Sequence, residues 1–273
     1  MLSIEEIKLL IDKLEKVKKE DLQELIDSNL KILKDIRSAV DATNDEEINR
    51  LDKTAAWFRE DADQKKTRPV TDELLFRMIR TKIFQFANTP LQNSLEIGPG
   101  HGMFSLEFRA WAKNFYLDIH PHFEKHVRNK FKSVGQKDGQ LNPDRHVTFY
   151  TTRKTDCSNI PQHSVNFIFS WDVFVFFTQN HIQHYLHDIK RVLVPGGHVF
   201  IQYANCHYDF DLSQAKRGYW NYNTQTEMER IINEEGYEIV EMNQFRPGAN
   251  YAIFRKPGKV NPVVTKISEI TLD

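Results

Sequence analysis

Residues 94–108, SLEIGPGHGMFSLEF, place Gly98, Gly100 and Gly102 at alternate positions between two apolar runs. This turn constrains the fold more than any other stretch. Three residues without a Cβ let the main chain pass through positive φ and come close to whatever lies beside it. A strand ending in such a turn therefore delivers backbone, not side chains, to a ligand. From residue 94 onward short apolar runs alternate with helical stretches, the pattern of an α/β sheet.

Seven strands are expected, at 94–97, 114–117, 146–150, 165–170, 198–203, 238–244 and 251–255. The helical stretch NHIQHYLHDIKRVLVPGG stops at Pro195, Gly196 and Gly197, just before the apolar run HVFIQY. Thr224 and Glu227 form a capping box for the next helix, which Gly236 ends. No helix separates the last two strands, so they pair as an antiparallel hairpin around FRPGANY.

Ahead of the sheet the chain is helical. Ser3 and Glu6 make a capping box before Ile7, Leu10, Ile11 and Leu14, and Leu22, Leu25, Ile26, Leu30, Leu33 and Ile36 form a second apolar stripe. Residues 1–70 are thus expected to form a helical extension that docks on the body, closes as a lid or mediates a homodimer. Thr71 caps a further helix beginning DELLFRMIR, expected along the sheet edge. Residues 71–258 form the main domain and 259–273 a tail.

Lysine and arginine number 37 against 38 acids, so no global field favours nucleic acid or an anionic membrane. No apolar run is long enough to span a bilayer, and the first twenty residues are too acidic for a targeting peptide, so a cytoplasmic location is expected. The two cysteines, Cys157 and Cys206, lack zinc-type spacing. His181, His184 and His187 read as a solvated helix face with no completing acid, and no metal site is expected.

The glycine turn is neither of two common phosphate binders. A Walker loop needs a lysine followed by serine or threonine, which is missing. A dinucleotide fingerprint needs a third glycine where Met103 stands. Glu96-Ile97-Gly98-Pro99-Gly100-His101-Gly102 instead resembles the first motif of the class I S-adenosylmethionine-dependent methyltransferases, and three further landmarks follow in that family's order: FYLDIHP, TDCSNIP and IFSWDVFVFF. RVLVPGGHVFI is similar to the family's approach to its fifth strand. The resemblance covers roughly residues 75–256 and implies a Rossmann-like, mostly parallel seven-stranded sheet with an antiparallel last strand.

It also implies residue roles toward S-adenosylmethionine. Glu96 would help hold the ammonium, with Gly98, Pro99, Gly100 and Gly102 as the cradle whose amides face the ligand. Asp118, with Ile119 after it, would accept the ribose hydroxyls. Asp156 would meet the adenine amino group and the Cys157 amide a ring nitrogen, and Ser170 and Trp171 would lie beside the methionine arm.

Methyl transfer to a hydroxyl needs a base at the carboxyl ends of the strands. The candidates are Asp172, after the fourth strand, and His207 with Asp209, after the fifth; His207 is preferred, since an imidazole titrates near neutrality. The segment from SWDVF onward is similar to bacterial sugar and small-metabolite methyltransferases, although Phe176 and Phe177, and Gln202-Tyr203, replace that subgroup's histidines. Trp171, Phe174, Phe176, Phe177, Tyr203, Tyr208, Tyr219 and Trp220 surround the expected mouth. The expected acceptor is a small-molecule oxygen, with a small amine as the alternative. A methyltransferase-like protein that has lost catalysis and serves in assembly is the reading from another class.

Overall fold

The computed structural model describes residues 73–86, 92–109, 112–138, 142–152 and 155–259. The expected N-terminal extension, the Thr71 cap and nearly all of the tail lie outside these residues. In chain order the elements are α1 (Glu73–Phe86), β1 (Asn93–Ile97), β2 (Lys113–Asp118), α2 (Phe123–Asp138), α3 (Pro143–His146), β3 (Val147–Thr151), β4 (Val165–Ser170), α4 (Gln179–Val192), β5 (Leu193–Tyr203), α5 (Asp209–Lys216), α6 (Gln225–Glu234), β6 (Glu238–Gln244) and β7 (Asn250–Arg255).

The sheet runs β3-β2-β1-β4-β5-β7-β6. Strands β1 to β5 pair in parallel, and β7 is antiparallel to both β5 and β6. All seven expected strands are present. Strand order reverses between β1 and β4, and ligands of open α/β sheets bind at the carboxyl ends beside such a switch point. The glycine turn leaves β1 there.

Register assigns the two faces. Glu96, Tyr116 and Phe169 are cross-strand neighbours and so share one side. On that side α1 contributes Leu75, Ile79 and Ile83, one helical stripe, to a cluster with Phe104, Phe108, Phe167, Phe169, Phe200 and Tyr251. Helix α1 therefore crosses the sheet face over β4, β5 and β7 instead of following an edge, because its apolar stripe needs a broad surface to bury. Lys82 ties it to Glu241 on β6 at 2.6 Å. Val127 and Phe131 of α2 pack on Tyr116 and Val147 of the same side. The opposite face includes Phe254, whose ring meets Tyr237, and the Tyr237 hydroxyl donates to the Leu186 carbonyl of α4 at 2.6 Å.

Local chemistry sets the ends. Thr178 accepts from the His181 amide at the start of α4, and Thr224 from the Glu227 amide at the start of α6. Asn142 caps α3, a single turn. The histidines of α4 do not share a face: His181 is buried with its ring against Thr178, while His184 and His187 are exposed. Each step of three residues turns the helix back by about 60°, so the first and third members diverge by about a third of a turn.

Candidate active site

The site is assembled at the carboxyl ends of β1, β2, β4 and β5. Gly98, Gly100 and Gly102 have φ of 68°, 50° and 74°, the left-handed region where a Cβ is penalised. A Cβ on Gly98 would lie 2.2 Å from Cγ2 of Val173, whereas one on Gly100 would meet nothing within 4 Å. Gly98 is thus required by packing against the β4 exit loop. Gly100 borders open space.

The amides of the turn do not face that space as the sequence reading expected. Gly98 N–H donates to the Leu117 carbonyl at 2.8 Å, Gly102 N–H to the Pro99 carbonyl at 2.7 Å, and Gly100 N–H to Asp118 Oδ2 at 3.3 Å. The turn is held by the protein itself, and the long Gly100 contact is the one most readily exchanged for a ligand. Past the turn the chain makes a single 3-10 turn at Ser105–Phe108. Only ten residues separate Gly102 from β2, too few for a helix to run back along a strand.

Two buried carboxyl groups bracket the turn. Glu96 is the fourth residue of β1, and its Oε2 accepts from Ser105 Oγ at 2.6 Å. The Tyr116 hydroxyl donates to the Ser105 carbonyl at 3.1 Å and fixes the donor from behind. Burial pushes the Glu96 carboxyl up to about 7, opposed by Ser105 and by the charge of Lys130. Lys130 sits on α2, and a Cβ on Gly102 would lie 3.3 Å from its Cδ. Lys130 neighbours the buried stripe Phe123, Val127 and Phe131 on the same helix.

Asp118 ends β2. Its Oδ1 accepts from the His120 amide at 2.9 Å, and burial pushes its carboxyl up to about 6 against the amides of His120, Gly100 and Ile119. Ser170 Oγ donates to the Ile97 carbonyl at 2.9 Å and ties β4 to the base of the turn. Trp171 packs on Phe104, Phe200 and Phe245, which leaves it 8 % exposed.

The loop after β3 differs from expectation at Cys157. Asp156 Oδ1 accepts from Thr152 Oγ1 at 3.2 Å and from Ser158 Oγ at 2.9 Å. The Cys157 amide, expected at an adenine nitrogen, donates instead to the carboxylate of Asp188 on α4. Arg191 completes this knot, reaching Asp188 Oδ1 at 3.1 Å and the Cys157 carbonyl at 2.6 Å. The knot clamps the loop to α4, a role that spacing along the chain does not reveal.

On the acceptor side Asp172 is exposed at φ 57°, one of two described non-glycine residues with positive φ. Its amide donates to Gln202 Oε1 at 2.6 Å, and Gln202 Nε2 donates to the Gly248 carbonyl at 2.8 Å. Buried Gln202 therefore joins the β4 exit to the β6–β7 turn. His207 and Asp209 are exposed beyond β5, apart from this bridge. Of the aromatic residues expected at the mouth, Trp171, Phe174, Phe177 and Tyr203 are core, whereas Tyr208 and Tyr219 are exposed. Asp211, buried on α5, was missed by the sequence reading.

The family model described as "Methyltransferase domain" matches residues 49–242. No curated protein matches the chain significantly. Among solved structures, the chain is similar to an S-adenosylmethionine-dependent methyltransferase from Methanosarcina mazei, with TM-score 0.51 and 16 % identity over 65 % of this chain and 98 % of that one. It is also similar to the PH0226 protein from Pyrococcus horikoshii, with TM-score 0.54 and 13 % identity over 70 % and 94 %. The N-methyltransferase NodS from Bradyrhizobium japonicum gives TM-score 0.51 and 17 % identity over 69 % and 100 %. At these identities the structures show a common fold, while the family match covers well over half of the chain. The strand order, the glycine turn at the switch point and that match converge: the chain belongs to the methyltransferase-domain family and is a class I S-adenosylmethionine-dependent methyltransferase.

Proposed function

We propose that this enzyme methylates an oxygen of a small polar acceptor, a sugar or similar biosynthetic intermediate, and that Glu96 and Asp118 hold the cofactor. The observation that carries the cofactor reading is the pair of buried carboxyl groups on either side of a turn whose Gly100 borders open space. Glu96 is the counter-charge for the cofactor's ammonium, met directly or through water, and Asp118 exchanges its long Gly100 contact for the ribose hydroxyls. Gly98, Pro99, Gly100 and Gly102 shape the cradle, Ile119 follows the ribose acid, and Ser170 and Trp171 form the floor beneath the methionine arm. Asp156 faces the adenine amino group. The Cys157 amide has no part in this reading because Asp188 engages it.

When bound, S-adenosylmethionine supplies a methyl group on a sulfonium that an aligned nucleophile displaces in line. Asp172 is the base that takes the acceptor's proton. It stands at the end of β4, exposed, with its backbone fixed by Gln202. His207 is the other candidate, on the surface beyond β5. Methylation of a small amine is the second reading, favoured by a buried carboxylate, Asp211, on the acceptor side. The reading places the protein in the cytoplasm, with a small molecule as partner and neither nucleic acid nor membrane; no helix among the described residues is long and apolar enough to cross a bilayer. A homodimer through the N-terminal helices belongs to the same proposal.

The test is transfer of labelled methyl from S-adenosylmethionine to matched panels of hydroxyl and amine compounds. An oxygen acceptor, with turnover lost in Asp172→Asn and cofactor affinity retained, supports the reading. Methylation confined to amines replaces it with the second. Failure to bind S-adenosylhomocysteine would return the assembly-protein alternative.

A further inference from the structure

Tyr185, on α4, is 3 % exposed, and no hydrogen bond among the described residues engages its hydroxyl. A buried tyrosine hydroxyl normally has a partner, because its polar end is costly to leave unmatched away from water. The groups that act on this one are Cys157, Asp118, Asp156 and Asp188, at longer range than a hydrogen bond. Burial first, and then these neighbours, push the hydroxyl far above its usual range. It therefore stays protonated and available to donate.

The fold says where that hydroxyl stands. Helix α4 links two parallel strands, β4 and β5, and so runs back against them, with its early residues toward their carboxyl ends. Tyr185 precedes Asp188 by three residues, which puts the two side chains on one face of the helix, about 4.5 Å apart along its axis. Asp188 takes the Cys157 amide. Tyr185 thus meets the same β3 loop one turn nearer the cofactor cradle. The other two acids that act on it, Asp118 and Asp156, are those set at the ribose hydroxyls and at the adenine amino group. Its ring is stacked on Phe177 at 5.2 Å and tilted against Phe174 at 5.5 Å, both buried. Held between them, the ring has little freedom to turn its hydroxyl elsewhere.

Resting on the cofactor reading of the adjacent cradle, we propose that the Tyr185 hydroxyl donates to N1 of the cofactor's adenine, the bond for which the Cys157 amide is not free. N1 lies beside the amino group on the side away from the sugar, and it is an acceptor next to a donor. Asp156 accepts from the amino group and Tyr185 donates to N1, so the two side chains present the complementary pattern. A hypoxanthine edge carries a carbonyl and an N–H in those places and would set its carbonyl against the Asp156 carboxylate. Tyr185 and Asp156 together make the site selective for adenine.

The test is calorimetric titration of the full chain, wild type and Tyr185→Phe, with S-adenosylhomocysteine and with its 1-deazaadenine analogue, in which a C–H replaces N1. The variant keeps the ring and its stacking and removes only the hydroxyl. In the wild type S-adenosylhomocysteine is expected to bind at least about fivefold more tightly than the analogue. Tyr185→Phe should bind S-adenosylhomocysteine at least about fivefold more weakly than the wild type does, and should bind the analogue as tightly or more tightly, since no hydroxyl is then left unmatched against the C–H. A merely structural role would weaken both ligands alike. Equal binding of the two ligands by the wild type, a preference that persists in Tyr185→Phe, or equal losses for both ligands overturns the proposal. The wild-type comparison decides alone if the variant does not fold. Binding of S-adenosylhomocysteine without preference over the analogue removes only this proposal; failure of the wild type to bind S-adenosylhomocysteine removes the cofactor reading and this proposal with it.

Discussion

Lowering the pH from 8 to 6 should weaken cofactor binding about twentyfold, through two groups. In the free protein burial holds Glu96 at about 7 and Asp118 at about 6. The proposed contacts, an ammonium at Glu96 and ribose hydroxyls at Asp118, both favour the ionised carboxylate, so binding must release whatever proton each carries. At pH 6 about one Glu96 in eleven and about half of Asp118 are ionised, a combined penalty of about 22-fold, against about 1.1-fold at pH 8. The difference is about 1.8 kcal/mol. Calorimetry with S-adenosylhomocysteine at both pH values, in buffers of different ionisation enthalpy, reads the affinity and the protons released, about 1.4 at pH 6. Glu96→Gln should leave only the smaller dependence from Asp118. An affinity that is flat with pH, or proton uptake on binding, would refute the assignment of these two carboxylates.

Three further outcomes follow from the same geometry. Because folded Glu96 titrates well above an unfolded glutamate, its burial costs stability progressively as pH rises from about 4.5 to 7; Glu96→Gln should therefore be more stable than the wild type by up to about 3 kcal/mol at pH 8, with the gap closing toward pH 4.5 in denaturant titrations. Gly98→Ala, with positive φ and Val173 2.2 Å from the new Cβ, should lose more than about 2 kcal/mol of stability, whereas Gly100→Ala should lose about 1 kcal/mol yet bind S-adenosylhomocysteine at least tenfold more weakly, since its methyl points into open space. Asp188→Ala should lower the unfolding free energy by about 2–3 kcal/mol by leaving the Cys157 amide without its acceptor and Arg191 without its carboxylate partner, its carbonyl contacts remaining.

The elements were legible where their signal is local. Apolar runs marked every strand, and Thr224 and Gly236 behave as helix ends. One boundary moved by more than one residue: β5 begins at Leu193 and not 198, because Leu193 pairs with Val165 before the register shift that Pro195, Gly196 and Gly197 occupy. The acids Glu96 and Asp118 were legible because each sits a fixed distance from the glycine turn or at the end of its strand. What sequence could not show were partnerships between remote segments. The bridge from Asp172 through Gln202 to Gly248, the capture of the Cys157 amide by Asp188, and the burial of Asp211 beside Asn250 each join residues 30 to 46 positions apart. Their identities fit unremarkable surface roles until the fold brings them together. Helix α1 illustrates the same limit, since its stripe announced burial without saying which surface would receive it.

The central claim, that this chain binds S-adenosylmethionine through the cradle between Glu96 and Asp118, is tested most directly by calorimetric titration of the wild type and Asp118→Ala with S-adenosylmethionine and S-adenosylhomocysteine. Wild-type dissociation constants are expected in the micromolar range, about −8 kcal/mol, with a loss of at least about tenfold in the variant. No binding of either compound, or equal binding by Asp118→Ala, would contradict it.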